Sequence, residues 1–503
     1  MAYILTLDVG TTSVKCGVFD EKLRQIKVAS AEYALQTPSA RIVEVTSDTY
    51  LQKIRKCLID MRQAGVDTRQ ICYVVATTQG ETLIPLDEMD MPLCDAVVWL
   101  DSRAQKEAEI LSAQFPDEVF YRVTGLPGLD GYAPIAKMMQ LAVEFAAEGK
   151  RLKKFLLLED FLIFNLTGRM VTEKTLLSST GFFDIRHDRL WDEILQAAGV
   201  RREWIPEILE SGELVGSILP EMAEYLQISP AAQIVTGAMD QVCGAIGCGN
   251  LEEGCLHETT GTAMVIGAST RTPDFEDPRR LTVYRHAIPG MYLLIPICRT
   301  AAIIQKWFRE QFCDQEAEAA KAQGISVYDR MAELAENAKA DPDGPLLLPY
   351  FNGCLAPASI DNARGCFWGI GLDTTKADMI RAIPEGISFM LRENLEMLQT
   401  MGIEKDTIFF LGGPSQNPFW CQMKADITGK RVCAAPGLES TSFGAACLAA
   451  QAAGFYPTAA EAAASYGDYQ VFLPDEEKAE IYNKKYSKYQ KLVACASDFY
   501  NTQ

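Results

Sequence analysis

The chain has 503 residues, 48% hydrophobic and 23% charged, more than one core ordinarily organises, so two or more domains are expected. Its formal net charge is −20, and a chain this acidic repels the phosphates of nucleic acid and of anionic membranes, which argues against both as partners. The 15 cysteines include no C-x-x-C pair, no run of 18 apolar residues occurs, and no leader precedes residue 4, so zinc knuckles and membrane spans are not expected and a cytoplasmic protein is.

In chain order, two apolar runs, 4–7 and 14–19, flank the turn Gly10-Thr11-Thr12, which is hairpin chemistry. Helices are expected over 50–64, 103–114 and 136–148, a buried strand over 72–79, and over 156–168 an apolar start followed by a helix that stops at Gly168. An apolar strand then leads to Asp240 and a small-residue helix. At 256–269 the opening pattern returns: strand, Thr260-Gly261-Thr262 turn, apolar strand, 251 residues after the first (Gly10 to Gly261). This repeat implies an internal duplication, with the boundary drawn at 247–254 and domains at 1–247 and 248–503. Beyond it come a helical stretch over 314–339, a strand after the turn at 341–344, a long helix over 378–401, and strand, Gly-Gly turn and helix over 409–420. A small-residue helix over 439–454 and a basic amphipathic helix over 476–500, read as a solvated face, complete the chain.

Four segments can carry chemistry. In DVGTTSVK (8–15), the backbone at Gly10 and the hydroxyls of Thr11 and Thr12 can wrap phosphate oxygens, Asp8 suits Mg²⁺, and Lys15 suits a phosphate; read alone, this is an ordinary hairpin. It is not a P-loop, because G-x-x-x-x-G-K-[ST] is absent. The second turn, with Thr260 and Thr262 as donors, makes a pair of phosphate-cradling turns, which chance produces far less readily than one. Gly412 and Gly413 in LGGPSQNPFW (411–420) permit close approach of a ligand ahead of a helix N-terminus. Asp240 read alone is a helix cap, and beside the second turn it becomes a candidate base that takes a proton from an alcohol as phosphoryl arrives.

Taken together, these segments resemble the FGGY family of carbohydrate kinases, within the actin/hexokinase/Hsp70 superfamily, over residues 3 to about 455. DVGTTSVK is similar to its first phosphate motif, GAMDQ (237–241) to its catalytic segment, TTGTA (259–263) to its second phosphate motif and 412–432 to its adenosine motif. The signatures depart at Pro384 and at Gln140, where the family prefers an aliphatic or aromatic residue and Trp. The resemblance implies an α/β fold of two actin-like (ribonuclease H-like) domains, each with a mixed sheet, and a cleft between them. It implies ATP and Mg²⁺, with Asp240 as base, Asp8 toward the metal, Thr11, Thr12, Lys15, Thr260, Gly261 and Thr262 at the phosphates, and Gly412, Gly413 and Asn417 by the nucleotide.

The segment TTQGETLIP (77–85) looks like the family's substrate loop. Glycerol kinases carry Gln-Arg-Glu there; this chain has Gln79-Gly80-Glu81, so the arginine is lost, room is expected beside position 80, and a substrate longer than glycerol is implied. Trp99 and Tyr132 are expected as walls against a carbon skeleton, with Gln79, Glu81, Asp240 and Gln241 as polar contacts. Glu81 beside Asp240 suits a neutral, hydroxyl-rich ligand better than a carboxylate: a pentulose such as xylulose first, or a tetritol or glycerol-like polyol. Gly353-Cys354-Leu355-Ala356 lacks a Gly-Glu-Arg that the family often has, and His187, His257 and His286 belong to no motif. The competing functions are an ATP-binding superfamily member that hydrolyses ATP without an acceptor, and an idle sugar sensor. A homodimer is the default oligomer.

Overall fold

A computed structural model describes residues 2–357, 359–435 and 437–501. Ile4, Leu5, Thr6, Leu7 and Val9 are all fully buried along the strand Tyr3–Val9 (β1), so both faces of that strand are covered, as in the middle of a doubly packed sheet. β1 turns back antiparallel into Ser13–Phe19 (β2), with Asp8 opposite Lys15 and Val9 opposite Val14, and β2 pairs antiparallel with Gln25–Glu32 (β3). On its other side β1 runs parallel to Ile71–Thr78 (β4), which runs parallel to Gln233–Met239 (β6); Leu214–Ser217 (β5) closes the edge antiparallel.

The second sheet repeats this plan. Leu256–Thr260 (β7) pairs antiparallel with Met264–Thr270 (β8) and parallel with Thr407–Leu411 (β9); β9 runs parallel to Arg431–Ala434 (β10), and Gln470–Phe472 (β11) closes the edge antiparallel. Five strands of this eight-stranded sheet share their order and directions with five of the six in the first, so the likeness extends beyond the two turns. A five-stranded antiparallel sheet (Gln36–Ser39, Ile42–Val45, Ala96–Val97, Leu83–Asp87 and Leu152–Leu157) is added to the first sheet's unit.

The chain separates into two compact units: Met1–Leu251, Arg271–Leu293 and Glu439–Gly467 form the first, and Glu252–Thr270, Leu294–Leu438 and Asp468–Gln503 the second. These differ from the contiguous halves 1–247 and 248–503, because two later segments pack into the first unit. The helix Ser440–Ala452 crosses the helix Asp240–Gly247 so closely that a Cβ on Gly247 would stand 1.9 Å from the Ser440 carbonyl oxygen, and one on Gly444 the same distance from that of Cys243. Only small residues permit that approach, which accounts for the composition of both helices. From the other segment, the Val283 N–H donates to the Gly125 carbonyl at 2.9 Å.

The stretch 314–339 is two helices, Asp314–Gln323 and Val327–Asn337, the second begun by a Ser326/Asp329 capping box. The helix Lys376–Gln399 continues through Pro384. No described helix is long and apolar enough to cross a membrane.

Candidate active site

In the first unit, three parallel strands end side by side, and each end delivers a polar residue. In register, Asp8 of β1 lies opposite Thr77 of β4, and Thr78 lies opposite both Val9 of β1 and Met239 of β6, after which Asp240 begins a helix. The carboxyl ends of parallel strands are where open α/β sheets bind ligands. Asp240 and Asp8 are both partly shielded from solvent. Burial pushes the Asp240 carboxyl up to about 6, against a 2.6 Å hydrogen bond donated by the Gln241 N–H. Burial first, and then the Asp240 charge, raise Asp8 to about 7, with Lys15 opposing.

Lys15 donates to Glu439 at 2.7 Å in a half-exposed ion pair. Thr12 is exposed, and the Thr11 hydroxyl accepts from the Trp99 indole at 3.0 Å, tying the first turn to the expected substrate wall.

The strand that presents Asp240 is held from behind. The Gly237 N–H donates to Glu159 at 2.7 Å, and the Met239 N–H donates to the Thr175 hydroxyl at 2.9 Å. That hydroxyl in turn donates to Glu173, whose carboxylate also caps the helix Lys174–Leu177. Nothing in the sequence pattern pointed to this support.

Gln79 is 4% exposed, and among the described residues neither its amide oxygen nor its amide nitrogen has a partner. A buried amide without partners is a costly arrangement, relieved when a ligand supplies them. Glu81 sits at φ 69°, a left-handed conformation rare outside glycine, with its carboxyl raised to about 7 by burial, against the Lys137 charge. The room expected beside position 80 is absent: a Cβ on Gly80 would meet the Ser179 hydroxyl at 3.0 Å and the Met239 sulfur at 3.1 Å. Tyr132 is 45% exposed, so as a wall it stands at the rim.

Three residues of this site were not singled out from sequence. Lys137 is fully buried, donates to the carbonyls of Val98 and Trp99, and is lowered to about 8, chiefly by burial. Ser179, whose hydroxyl donates to the Leu176 carbonyl at 3.0 Å, acts on Glu81 to lower its carboxyl, against the larger effect of burial. Tyr284, from the segment Arg271–Leu293, has its phenol pushed well up by burial, with the charges of Glu81 and Asp240 adding to the effect. Lys137 stands three residues before Gln140, inside one of the two family signatures; Tyr284 carried no signal, since it lies beyond the expected boundary.

In the second unit, Gly261 and Thr262 are exposed, and their carbonyls accept from the N–H groups of Ala302 and Ala301 at 2.9 and 2.8 Å. Thr260 is placed otherwise than expected. It is fully buried, and its hydroxyl donates to Glu258 and accepts from Lys424 at 2.9 Å. Gly412, at φ 87°, packs on that residue's backbone, where a Cβ would come within 2.4 Å of the Thr260 carbonyl oxygen. Gly413 and Asn417 line a pocket of about 430 Å³ with Gln305, Ser326, Tyr328 and Trp420. Asn417 also caps the helix Pro418–Thr428 by accepting from the Trp420 backbone N–H, and the buried Trp420 indole N–H has no partner among the described residues.

His187 pairs with Asp184 at the surface, His257 and His286 are buried, and Cys354 is buried with its thiol donating to the Ala356 carbonyl at 3.3 Å.

Models of the N-terminal and C-terminal domains of the FGGY family of carbohydrate kinases match residues 3–247 and 257–453. A gluconokinase of Bacillus licheniformis is 28% identical across 96% of this chain and 94% of its own length. A xylulose kinase of Bacillus subtilis is 25% identical across 99% and 98%. The crystal structure of ligand-bound xylulose kinase from Lactobacillus acidophilus superposes with a TM-score of 0.87, at 25% identity and full coverage of both chains.

Proposed function

The chain belongs to the FGGY family of carbohydrate kinases, and on that premise we propose that Asp240 is the general base for phosphoryl transfer from ATP to a hydroxyl of a neutral sugar or polyol, a pentulose such as xylulose first among them. The observation that carries this reading is a carboxylate held at about 6 at the carboxyl end of the sheet. At neutral pH that group is mostly ionised and still basic enough to take a proton from an attacking alcohol.

Around it, Gln79 offers one unsatisfied donor and one unsatisfied acceptor to substrate hydroxyls, Glu81 accepts from another, and Gln241 stands next to the base. Trp99 and Tyr132 flank the carbon skeleton. A carboxylate substrate would bring another negative charge beside Asp240 and Glu81, which argues for a neutral acceptor although one relative is named a gluconokinase.

Thr11, Thr12 and Lys15 in the first unit, and Gly261 and Thr262 in the second, serve the phosphates; Gly412, Gly413 and Asn417 serve the nucleoside. Thr260 supports its turn instead of touching the ligand. Asp8 fits Mg²⁺. It is a shielded carboxylate beside a second one, and among the described residues no three metal-ligating side chains converge. Mg²⁺ takes few protein carboxylates and fills its shell with water and phosphate oxygens. When bound, it neutralises phosphate charge during transfer. A cytoplasmic homodimer completes the reading, and sedimentation of the purified chain tests the dimer.

The test is a coupled ADP-release screen with pentuloses, hexuloses, tetritols, glycerol and gluconate. A pentulose or polyol is expected to be the strongest acceptor. Turnover with gluconate alone would overturn the neutral-acceptor reading, and ATP turnover indifferent to every acceptor would overturn the role of Asp240.

A further inference from the structure

Beneath the second phosphate turn lies a buried charge network that proton transfer does not use. Lys424, on the helix Pro418–Thr428, and Glu258, on β7, have side chains 1% and 0% exposed and form an ion pair. The Thr260 hydroxyl sits between them, donating to Glu258 and accepting from Lys424 Nζ at 2.9 Å. The same ammonium lies 3.5 Å from the centre of the Phe410 ring on β9, a cation–π contact inside the core.

A pair this deeply buried is a weak source of stability, because desolvation offsets much of the attraction and apolar residues of similar volume commonly do as well. Its position suggests another use. The helix bearing Lys424 starts at the pocket lined by Asn417 and Trp420, and the strand end it grips leads directly into Gly261-Thr262. Gly412, from the Gly-Gly turn beside that pocket, closes on the same Thr260 backbone.

We propose that Lys424 is a positioning residue which, through Glu258 and Thr260, fixes the second phosphate turn relative to the nucleoside pocket. The inference rests on reading the second unit as the nucleotide site. Loosening the network releases the turn and leaves the pocket walls in place, so the loss falls on ligands that carry phosphates and spares adenosine.

Lys424→Met alone strands Glu258 without its partner and is expected to destabilise the chain. The decisive variants are therefore the apolar pair Lys424→Met/Glu258→Leu, and Thr260→Val, which removes the bridging hydroxyl and leaves the ion pair. Calorimetric titration of the full chain with MgADP and with adenosine, alongside thermal melts, reads the effect. Both variants are expected to bind adenosine within twofold of the unmodified chain and MgADP roughly tenfold more weakly. Their KM for ATP is expected to rise by more than kcat falls. Unchanged MgADP affinity in Thr260→Val, or an equal loss for MgADP and adenosine, overturns the inference alone, and Thr260→Val decides should the apolar pair melt far lower. Failure of the unmodified chain to bind MgADP overturns the nucleotide-site reading and the inference with it.

Discussion

The two strand–turn–strand units are built to one plan and handle charge in opposite ways. In the first, Asp8 and Lys15 face each other across β1 and β2 at the ends of the turn, next to Asp240, and Lys15 is held by a half-exposed Glu439. In the second, the charges are Glu258 and Lys424, sealed in the core, while the exposed turn offers backbone and Thr262. The comparison teaches that duplication preserved the backbone cradle and let the side chains diverge. One copy keeps its charges near solvent; the other buries them in the core. A charge near solvent is free to change partners, whereas one in the core is tied to whatever partner it was folded against.

Breaking the first unit's chemistry should give the largest effect. Asp240→Asn is expected to lower kcat by roughly two to four decades, with ADP affinity within a few-fold, as turnover and calorimetry will show. The same variant should melt higher than the unmodified chain at pH 8. The Asp240 carboxyl is raised on folding, so the native state binds its proton more tightly than the unfolded state does. Between the ordinary carboxylate range and about 6, its contribution to stability therefore falls as pH rises, and above that range the full penalty of a buried charge remains. A lower melting temperature for Asp240→Asn would show that the carboxylate is well solvated.

Breaking the second unit's scaffold should come next. Lys424→Met is expected to cost about 3–5 kcal/mol in denaturant unfolding, because the remaining Glu258 charge is buried without a partner. Gly412→Ala should cost roughly 1–3 kcal/mol for backbone strain alone and weaken ADP binding, since the added carbon meets the Thr260 carbonyl. A milder probe is pH: kcat/KM should fall as pH drops through about 6 and the base is protonated, and a profile flat down to pH 5 would count against Asp240.

The smallest effect is expected from Glu439→Gln. Its ion pair with Lys15 is half exposed, so stability should change by less than about 1 kcal/mol. A large loss there would mean that the first turn is as dependent on fixed charge as the second, and the contrast between the units would collapse.

Much of the site was legible because chemistry and local geometry coincide in short segments. Hairpin turns announce themselves through Gly10-Thr11-Thr12 and Gly261-Thr262, and Asp240 stands at a strand-to-helix junction that the apolar pattern marks. The readings that changed depended on what lies across space. Thr260 is a phosphate donor by its place in the turn, but in the fold its hydroxyl donates to Glu258 and accepts from Lys424, 164 residues away. The space beside Gly80 looked open until Ser179 and Met239 filled it.

By itself the sequence determined the family, the duplicated α/β plan, and the turns and carboxylates of the site, because those follow from periodicity and from residues adjacent in the chain. Only the tertiary structure decided which distant residues join them: Tyr284 and Glu439 brought into the first unit, Glu159 and Thr175 behind Asp240, Lys424 beneath the second turn. Those choices rest on close backbone approach between small-residue helices and on which buried charge finds a partner. Neither leaves a periodic trace along the chain.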